Sequence, residues 1–174
     1  MGFKDFLKQD RKLFCDMDGV MVNFDKVLVE HYPKEMANKD DNTHIPLNEE
    51  DWSKFNQDPL FWHTLEPMHD SRQLWEYIRP HNPSMLTAWS GDREAAHRGK
   101  WFWCNVHLNL FDEGRFHCVQ REDKLKYAVT TPGVSNILID DYRKNIDEWN
   151  SVGGIGILHV SAERTINELK QLGY

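Results

Sequence analysis

Cysteine is scarce in this chain, and no two cysteines form a Cys-x-x-Cys pair. The chain has three cysteines, Cys15, Cys104 and Cys118. An odd number argues against a disulfide framework. Long apolar runs are also missing, since none approaches the roughly 18 residues of a membrane-spanning helix. The opening residues, MGFKDFLKQDRK, are too charged for a secretory signal. We therefore expect a soluble, cytoplasmic protein with no membrane partner.

Basic residues are outnumbered by acidic ones. The chain has 21 Lys and Arg against 28 Asp and Glu, which gives a net charge of −7. It has no stretch rich in lysine and arginine, so a polymeric nucleic acid is not an expected partner. A small anionic substrate remains compatible with this charge, because a bound metal reverses the local field inside a cleft.

Aromatic residues, by contrast, are plentiful, with seven Trp, nine Phe and five Tyr among 174 residues. This length and content predict one domain with an ample core. Apolar runs and helical spacings alternate along the second half, which favours an α/β fold with a parallel sheet covered by helices on both faces. The predicted strands cover residues 13–15, 84–87, 115–119, 136–139 and 155–159. The predicted helices cover residues 22–32, 70–78, 91–107, 122–129, 143–152 and 162–172.

The segment 25–79 breaks this alternation. Pro33 is expected to end the first helix, and residues 34–59 are polar, acidic and poor in β-branched side chains. Short helices and loops are the expected structure there. We predict an inserted helical cap over residues 25–79 and an α/β core made of residues 1–24 and 80–174.

Two predicted strands end in pairs of carboxylates. The first strand runs into Asp16-Met-Asp18-Gly, and a later one runs into Asp140-Asp141. A carboxylate at the end of a buried strand is costly unless a metal or a reaction needs it there. Parallel sheets bind ligands at the carboxyl edge of their strands. The sequence therefore predicts a cation site made by these four aspartates, and their oxygen ligands suit Mg²⁺.

Two further polar residues lie between these acidic pairs in the sequence. Thr87 is at the end of a predicted strand, and Lys124 is on a short predicted helix. One carboxylate can attack phosphorus, and a second, two residues on, can transfer the proton. A hydroxyl and an ammonium can hold the phosphoryl oxygens. The series predicts phosphoryl transfer. Lys126 lies on the same stretch as Lys124, and the spacing does not decide between them.

DMDGV, an LTA strand end, a lysine and IDD together resemble the four motifs of the haloacid dehalogenase superfamily, over roughly the whole chain. The resemblance implies a Rossmann-like core with a cap. It also implies that Asp16 is the nucleophile and Asp18 the general acid and base. Thr87 would bind phosphate, and Lys124 would steady the nucleophile and the phosphoryl group.

The same resemblance implies how Mg²⁺ is held. Asp140 would bind the ion together with Asp16 and the main-chain carbonyl of Asp18. Asp141 would act through water or as a weaker ligand.

A narrower resemblance is to the 5′(3′)-deoxyribonucleotidase branch, carried by DMDGVMVNF, LEP, REDK and LIDD. It implies a small helical-bundle cap, with Phe24 near the nucleobase and Phe61 and Trp62 in further apolar contacts. The branch's R-x-D-K pattern favours Lys124 over Lys126. The chain departs from the branch after Thr87, where Ala-Trp-Ser stands in place of an early Ser. The three aromatics also fit a second interpretation, in which they belong partly to the core.

The leading hypothesis is an Mg²⁺-dependent phosphomonoesterase whose partner is a small phosphomonoester, namely a nucleoside monophosphate and most specifically a deoxyribonucleotide. A second hypothesis keeps the chemistry but takes another phosphometabolite, or a 3′-phosphate end of a nucleic acid, as substrate. A third is a non-catalytic, receiver-like domain that senses phosphate. The aromatics at residues 101–103 leave a homodimer open, and the sequence specifies no interface.

Overall fold

A computed structural model describes residues 11–37, 47–58 and 60–174 of the chain. Within these residues, five strands form a single all-parallel sheet in the order β3-β2-β1-β4-β5, which confirms the predicted α/β class with a Rossmann-like sheet. The strands are β1 (Leu13–Cys15), β2 (Ser84–Ala88), β3 (Phe116–Val119), β4 (Ile137–Asp140) and β5 (Ile155–Leu158).

Helices connect the strands and lie around the sheet. They are α1 (Phe24–His31), α2 (Pro33–Met36), α3 (Glu49–Gln57), α4 (Phe61–Thr64), α5 (Ser71–Ile78), α6 (Arg93–Leu108), α7 (Arg143–Ser151) and α8 (Ala162–Gln171). Short 3₁₀ helices cover Arg79–His81, Glu113–Arg115 and Arg121–Tyr127. In the part of the chain that the structure describes, no helix is both long and apolar enough to cross a membrane.

One local expectation was confirmed, and one differs in helix type. The first helix ends at His31, before Pro33 as expected, and Pro33 then occupies the first position of α2, where its missing N–H has no helical partner to lose. The helix expected over 122–129 is instead the 3₁₀ helix Arg121–Tyr127. Its tighter turns bring Lys124 inward, whereas Lys126 is exposed.

The predicted insertion corresponds to the helices α1 to α5, which lie between β1 and β2. The boundaries 25–79 stay a prediction, and α5 packs against α8 of the predicted core. Residues 38–46 and 59 of the predicted cap, and residues 1–10 of the predicted core, lie outside the described residues.

The strand β1 lies at the centre of the sheet and is buried on both faces. Leu13 and Cys15 join a large apolar cluster with Trp103, whereas Phe14 joins a smaller cluster with Trp149. This division follows from the alternation of side chains along a strand. It also explains why β1 is a continuous apolar run, as expected for a parallel strand covered on both sides.

The register between β1 and β4 brings the two acidic strand ends level. Cys15 pairs with Ile139, and the Asp16 N–H donates a 2.8 Å hydrogen bond to the Ile139 carbonyl. On the other side of β1, Cys15 pairs with Met85 of β2. The carboxyl edge of the sheet therefore brings Asp16, Asp140 and Thr87 into one region.

Candidate functional site

The loop after β1 turns back sharply on itself. Its turn is closed by hydrogen bonds to the Met17 carbonyl and by a 2.9 Å bond from the Gly19 N–H to the Val22 carbonyl. Gly19 has a φ of +75°, and a Cβ at this position would lie 2.0 Å from Asp141 Oδ2. A side chain here would therefore meet both backbone strain and a steric clash. Glycine allows Asp141 to pack directly against the loop that carries Asp16 and Asp18.

Three of the predicted aspartates form a compact acidic cluster. Asp16, Asp140 and Asp141 each offer an oxygen, and these atoms lie within 4.8 Å of one another. Burial raises the pKa of Asp141 well above its usual value, and the Asp140 and Asp16 carboxylates raise it further. Burial also raises the pKa of Asp140, to about 6, although the Lys124 ammonium opposes this shift. The cluster therefore holds more negative charge than its surroundings stabilise.

Lys124 is the cation of this cluster. Its Nζ lies 2.9 Å from Asp16 Oδ1 and 2.8 Å from Asp140 Oδ2, and the residue is only 2% exposed. Burial lowers the pKa of Lys124, but the Asp140 and Asp16 carboxylates outweigh that effect and raise the pKa overall. Lys126, the alternative left open by the spacing, is exposed and pairs with Asp123 at 2.7 Å. The structure brings Lys124, and not Lys126, to the acids.

Asp140 is held in place by several donors. Asn145 Nδ2 donates to both of its oxygens, at 3.1 and 3.0 Å, and the Tyr142 N–H donates to Oδ1 at 2.9 Å. Asn145 is itself held by Arg121, whose Nη1 donates to its Oδ1 at 3.1 Å and also to Glu148 at 2.6 Å. Asn145 was missed by the sequence analysis because an asparagine inside a predicted helix carries no distinctive signal.

Lys100, on α6, is a further residue that the sequence analysis missed. It is 1% exposed, and its Nζ donates to Asp18 Oδ2 at 2.5 Å, to Thr87 Oγ1 at 3.0 Å and to the Ala88 carbonyl at 2.9 Å. A signal was available in the spacing, because Lys100 lies four residues after buried Ala96 and so occupies the core-facing side of the helix. A lysine on this buried side of a helix is expected to pair with other buried polar groups.

Thr87 reaches the site only through Lys100. Its side chain is fully buried and its hydroxyl accepts the hydrogen bond from the Lys100 ammonium. It is not among the described residues that line the adjacent cavity. Lys100 therefore stands between the predicted phosphate-binding hydroxyl and any ligand in that cavity.

A cavity of about 420 Å³ joins the charged residues to an apolar region. Asp16, Asp18, Lys100, Lys124 and Asp141 line one part of it. The apolar part is lined by Phe24, Leu28, Leu47, Trp52 and Trp62. One enclosed space thus offers carboxylates and ammonium groups beside aromatic surface.

Phe24, Trp52 and Trp62 form an aromatic wall in this cavity. Their rings are nearly parallel, with interplanar angles of 10° to 16° and centroids 5.8 to 6.5 Å apart. The Trp62 ring also lies 4.5 Å from Lys100 Nζ, within the range of a cation–π contact. Trp52 was not predicted, because it lies in the polar segment that resembled loops and short helices.

Phe61 does not line this cavity. It packs against Phe55, with ring centroids 4.8 Å apart, and lines a separate cavity with Asn23 and Lys26. Successive residues of a helix point about 100° apart, so Phe61 and Trp62 face different directions. Of the three predicted aromatics, the structure brings Phe24 and Trp62 to the site and leaves Phe61 behind them.

The charge balance and donor set of the site fit a divalent cation. The four carboxyl groups of Asp16, Asp18, Asp140 and Asp141 outnumber the two ammonium groups of the buried lysines beside them. The Asp18 carboxylate stands apart from the acidic cluster, and its Oδ1 is buried with no hydrogen-bond partner among the described residues. Hard oxygen donors with excess negative charge suit Mg²⁺.

Comparison with known proteins adds no family assignment. No family model matches this chain, and a search of curated proteins finds no similar sequence. The function of the site is therefore inferred from its residues and their geometry alone.

Proposed function

We propose that the protein is an Mg²⁺-dependent phosphomonoesterase of the haloacid dehalogenase type that hydrolyses nucleoside monophosphates, specifically deoxyribonucleotides, in the cytoplasm. One observation carries the proposal: Asp16 and Asp18 line the same cavity as the aromatic wall. The carboxylates suit chemistry at phosphorus, and the wall suits a planar base. All three cysteines are free and buried, which is compatible with a reducing compartment.

The proposed reaction has two steps. The Asp16 carboxylate attacks phosphorus, the bond from phosphorus to the ester oxygen breaks, and Asp18 protonates the departing alcohol. A water molecule then attacks the phosphorus of phospho-Asp16 and gives its proton to Asp18. This step releases inorganic phosphate and regenerates the Asp16 carboxylate.

The charges around Asp16 support this chemistry. Lys124, 2.9 Å from Asp16 Oδ1, is positioned to offset charge on the transferring phosphoryl group. Lys100, 2.5 Å from Asp18 Oδ2, supplies a second cation on the other side of the cavity. Asp16, Asp140 and Asp141 would hold Mg²⁺, which when bound supplies further positive charge to the phosphoryl oxygens.

The aromatic wall favours a nucleoside over a sugar phosphate. Parallel ring surfaces gain stacking energy with the π face of a base, whereas a sugar has no π system. The volume of about 420 Å³ lies within the roughly 300–1,000 Å³ range of small-molecule sites. A 3′-phosphate end of a nucleic acid is the less favoured substrate, because the net charge of −7 repels a polymer backbone.

The receiver-like alternative is favoured less than turnover. A domain that stores a phosphoaspartate needs no acid and base beside it, whereas Asp18 lies two residues from Asp16 and lines the same cavity. Such a domain also needs no pocket for an organic group, whereas the aromatic wall provides one.

Phosphate release from 5′- and 3′-mononucleotides, sugar phosphates and a 3′-phosphorylated oligonucleotide, with Mg²⁺ or with EDTA, tests the proposal. We expect Mg²⁺-dependent release that is greatest for deoxyribonucleotides and is abolished in Asp16→Asn. The exposed Asp147→Asn on α7 is the matched control and should keep full activity. Activity in Asp16→Asn would refute the mechanism. Release from sugar phosphates alone would refute the nucleotide assignment, and a long-lived phospho-Asp16 without turnover would support the receiver-like alternative.

A further inference from the structure

A second cavity, of about 630 Å³, lies where the strands begin and is called here the amino-edge cavity. In a parallel sheet all strands begin at the same edge, so this cavity is at the opposite end of the strands from Asp16. A strand rises about 3.3 Å per residue, which puts Arg11 roughly 16 Å from Asp16. A ligand in the amino-edge cavity would therefore not touch the site at the carboxyl edge.

The described charged residues that line the amino-edge cavity are all basic. Arg11 and Lys12 lie before β1, Arg115 lies before β3, and His81 and His117 add two imidazoles. None of the described residues that line the cavity is acidic. Of the arginine and lysine side chains in this lining, Arg115 alone has an ion pair with an acid among the described residues, and that acid, Asp112, lies outside the lining at 3.4 Å. This concentration of cations in a chain with net charge −7 indicates a site for an anion.

Arg11 supplies an independent sign of a missing acceptor. Its Nε is buried and has no hydrogen-bond partner among the described residues. A buried donor without an acceptor is uncommon in folded proteins and destabilises them, more so when the group is charged. An anion in the cavity would supply that acceptor once the Arg11 side chain turned its Nε–H toward the ligand.

Neutral donors accompany these cations. Ser84, Tyr127 and Thr131 bring hydroxyl groups to the lining. Thr130 Oγ1 accepts a 3.0 Å bond from Asn136 Nδ2, so its own proton is available for another acceptor. Guanidinium and hydroxyl donors together match the several acceptor oxygens of a phosphate group better than the two oxygens of a carboxylate.

We propose that the amino-edge cavity binds a small phosphorylated anion, independently of the site at the carboxyl edge. The volume of about 630 Å³ exceeds what one phosphate ion fills. The expected ligand is therefore an organic phosphate or a polyphosphate and not the free ion. Arg11 and Lys12 bind its phosphoryl oxygens, and the His117 and Tyr127 rings, with centroids 4.8 Å apart, form the neighbouring wall.

Calorimetric titration with tripolyphosphate, in low salt and without metal, tests this proposal. The double variant Arg11→Gln/Lys12→Gln should bind at least tenfold more weakly than the unmodified protein. The control Lys54→Gln/Arg72→Gln removes the same charges from exposed positions on α3 and α5 and should bind within twofold of it. Arg11→Lys keeps the charge but loses the buried Nε–H. Its affinity for tripolyphosphate should therefore lie between those of the unmodified protein and the double variant. Thermal melts of each variant verify that it is folded.

Site-resolved NMR completes the test. Tripolyphosphate should shift the imidazole signals of His81 and His117 and leave the Trp62 indole unchanged. Shifts confined to Trp62, or equal affinity in the double variant, would overturn the proposal. Citrate that bound as tightly as tripolyphosphate would overturn the assignment to phosphate, and inorganic phosphate that bound more tightly would overturn the assignment to a larger ligand.

Discussion

The Lys100 ammonium lies 2.5 Å from Asp18 Oδ2, and both residues line the cavity that contains the aromatic wall. The same ammonium donates to Thr87 and to the Ala88 carbonyl, so three contacts fix its position. Lys100 thereby orients the proposed acid and base relative to β2. It also contacts the aromatic wall through Trp62, which connects the charged and apolar parts of the cavity.

Replacing Lys100 by methionine should lower kcat about 10²- to 10³-fold, the usual cost of losing one donor that stabilises transition-state charge. Methionine keeps most of the side-chain length but leaves Asp18 Oδ2 without its cation. Steady-state kinetics on the best substrate of the panel measure the effect. Lys126→Met, which alters only an exposed pair with Asp123, is the control and should keep full activity. An unchanged kcat in Lys100→Met would contradict the role given to this residue.

Mg²⁺ should raise the melting temperature of the protein. Saturation to 100 times the Kd adds about 2.7 kcal/mol of stability, which corresponds to roughly 5–11 °C for a chain of this size. Asp141→Asn should shrink this increment because it removes a ligand. In EDTA the same variant should melt higher than the unmodified protein, because burial, and then repulsion from Asp140 and Asp16, disfavour the charged form of Asp141 and raise its pKa.

Melting curves with Mg²⁺ and with EDTA measure both effects, and the exposed Asp147→Asn controls for the loss of one charge. An Mg²⁺ increment of the same size in Asp141→Asn and in the unmodified protein would remove Asp141 from the metal site.

Gly99→Ala should destabilise the protein by up to about 2 kcal/mol. Alanine gains about 1 kcal/mol in helix propensity over glycine. A Cβ at position 99, however, would lie 2.3 Å from the Cβ of Trp62, and neither atom can move without its backbone. Overpacking of this kind costs about 1–3 kcal/mol of stability. Here the clash can be relieved only if α4 and α6 move apart. Urea denaturation measures the change, with the exposed neighbour Arg98→Ala as control. A gain in stability would show that the two helices do not pack this closely.

His159 should make the stability fall as the pH decreases below about 6.5, whereas the raised pKa values of Asp140 and Asp141 act in the opposite sense. Burial lowers the pKa of this imidazole, although Asp70 opposes the shift, and its Nδ1 lies 2.8 Å from Thr165 Oγ1. Because the folded-state pKa is the lower one, the unfolded chain takes up the proton first. The stability that His159 contributes is therefore fully present above its pKa in the unfolded chain. It is lost as the pH falls below that pKa, by at most about 1.4 kcal/mol per pH unit.

Urea denaturation at pH 7, 6 and 5 should show that His159→Asn loses less stability, or gains more, than the unmodified protein as the pH falls. His107 and His117 act in the same sense as His159, because burial also lowers their pKa values. His31→Asn, at an exposed position, should leave the dependence on pH unchanged. Identical pH dependence in His159→Asn and the unmodified protein would exclude a contribution from this residue.

The acidic strand ends could be predicted because the pattern is local. An apolar run followed by Asp16 or Asp140 identifies both the strand and the edge at which it ends. A parallel sheet then brings such ends together without further information. In the structure, the 2.8 Å hydrogen bond from the Asp16 N–H to the Ile139 carbonyl joins the two strand ends, as this rule predicts.

Lys100 and Trp52 could not be predicted in the same way, because their roles depend on contacts between distant segments. Lys100 meets Asp18 across 82 positions of the chain. Trp52 reaches the cavity because α3 lies beside Phe24, a packing that the polar composition of its segment does not indicate. The orientation of Phe61 depends on the helix phase of α4, which a run of only four residues does not define in the sequence.

The aromatic wall also has an optical consequence. Of the seven tryptophans, Trp52, Trp62 and Trp89 line the cavity, whereas Trp103 and Trp149 are fully buried away from it. Indole emission changes with local polarity and with nearby charge, so a ligand that enters the cavity alters the fluorescence of the first three and leaves that of the last two as a constant background. The protein thus carries its own reporter of whether the cavity is filled.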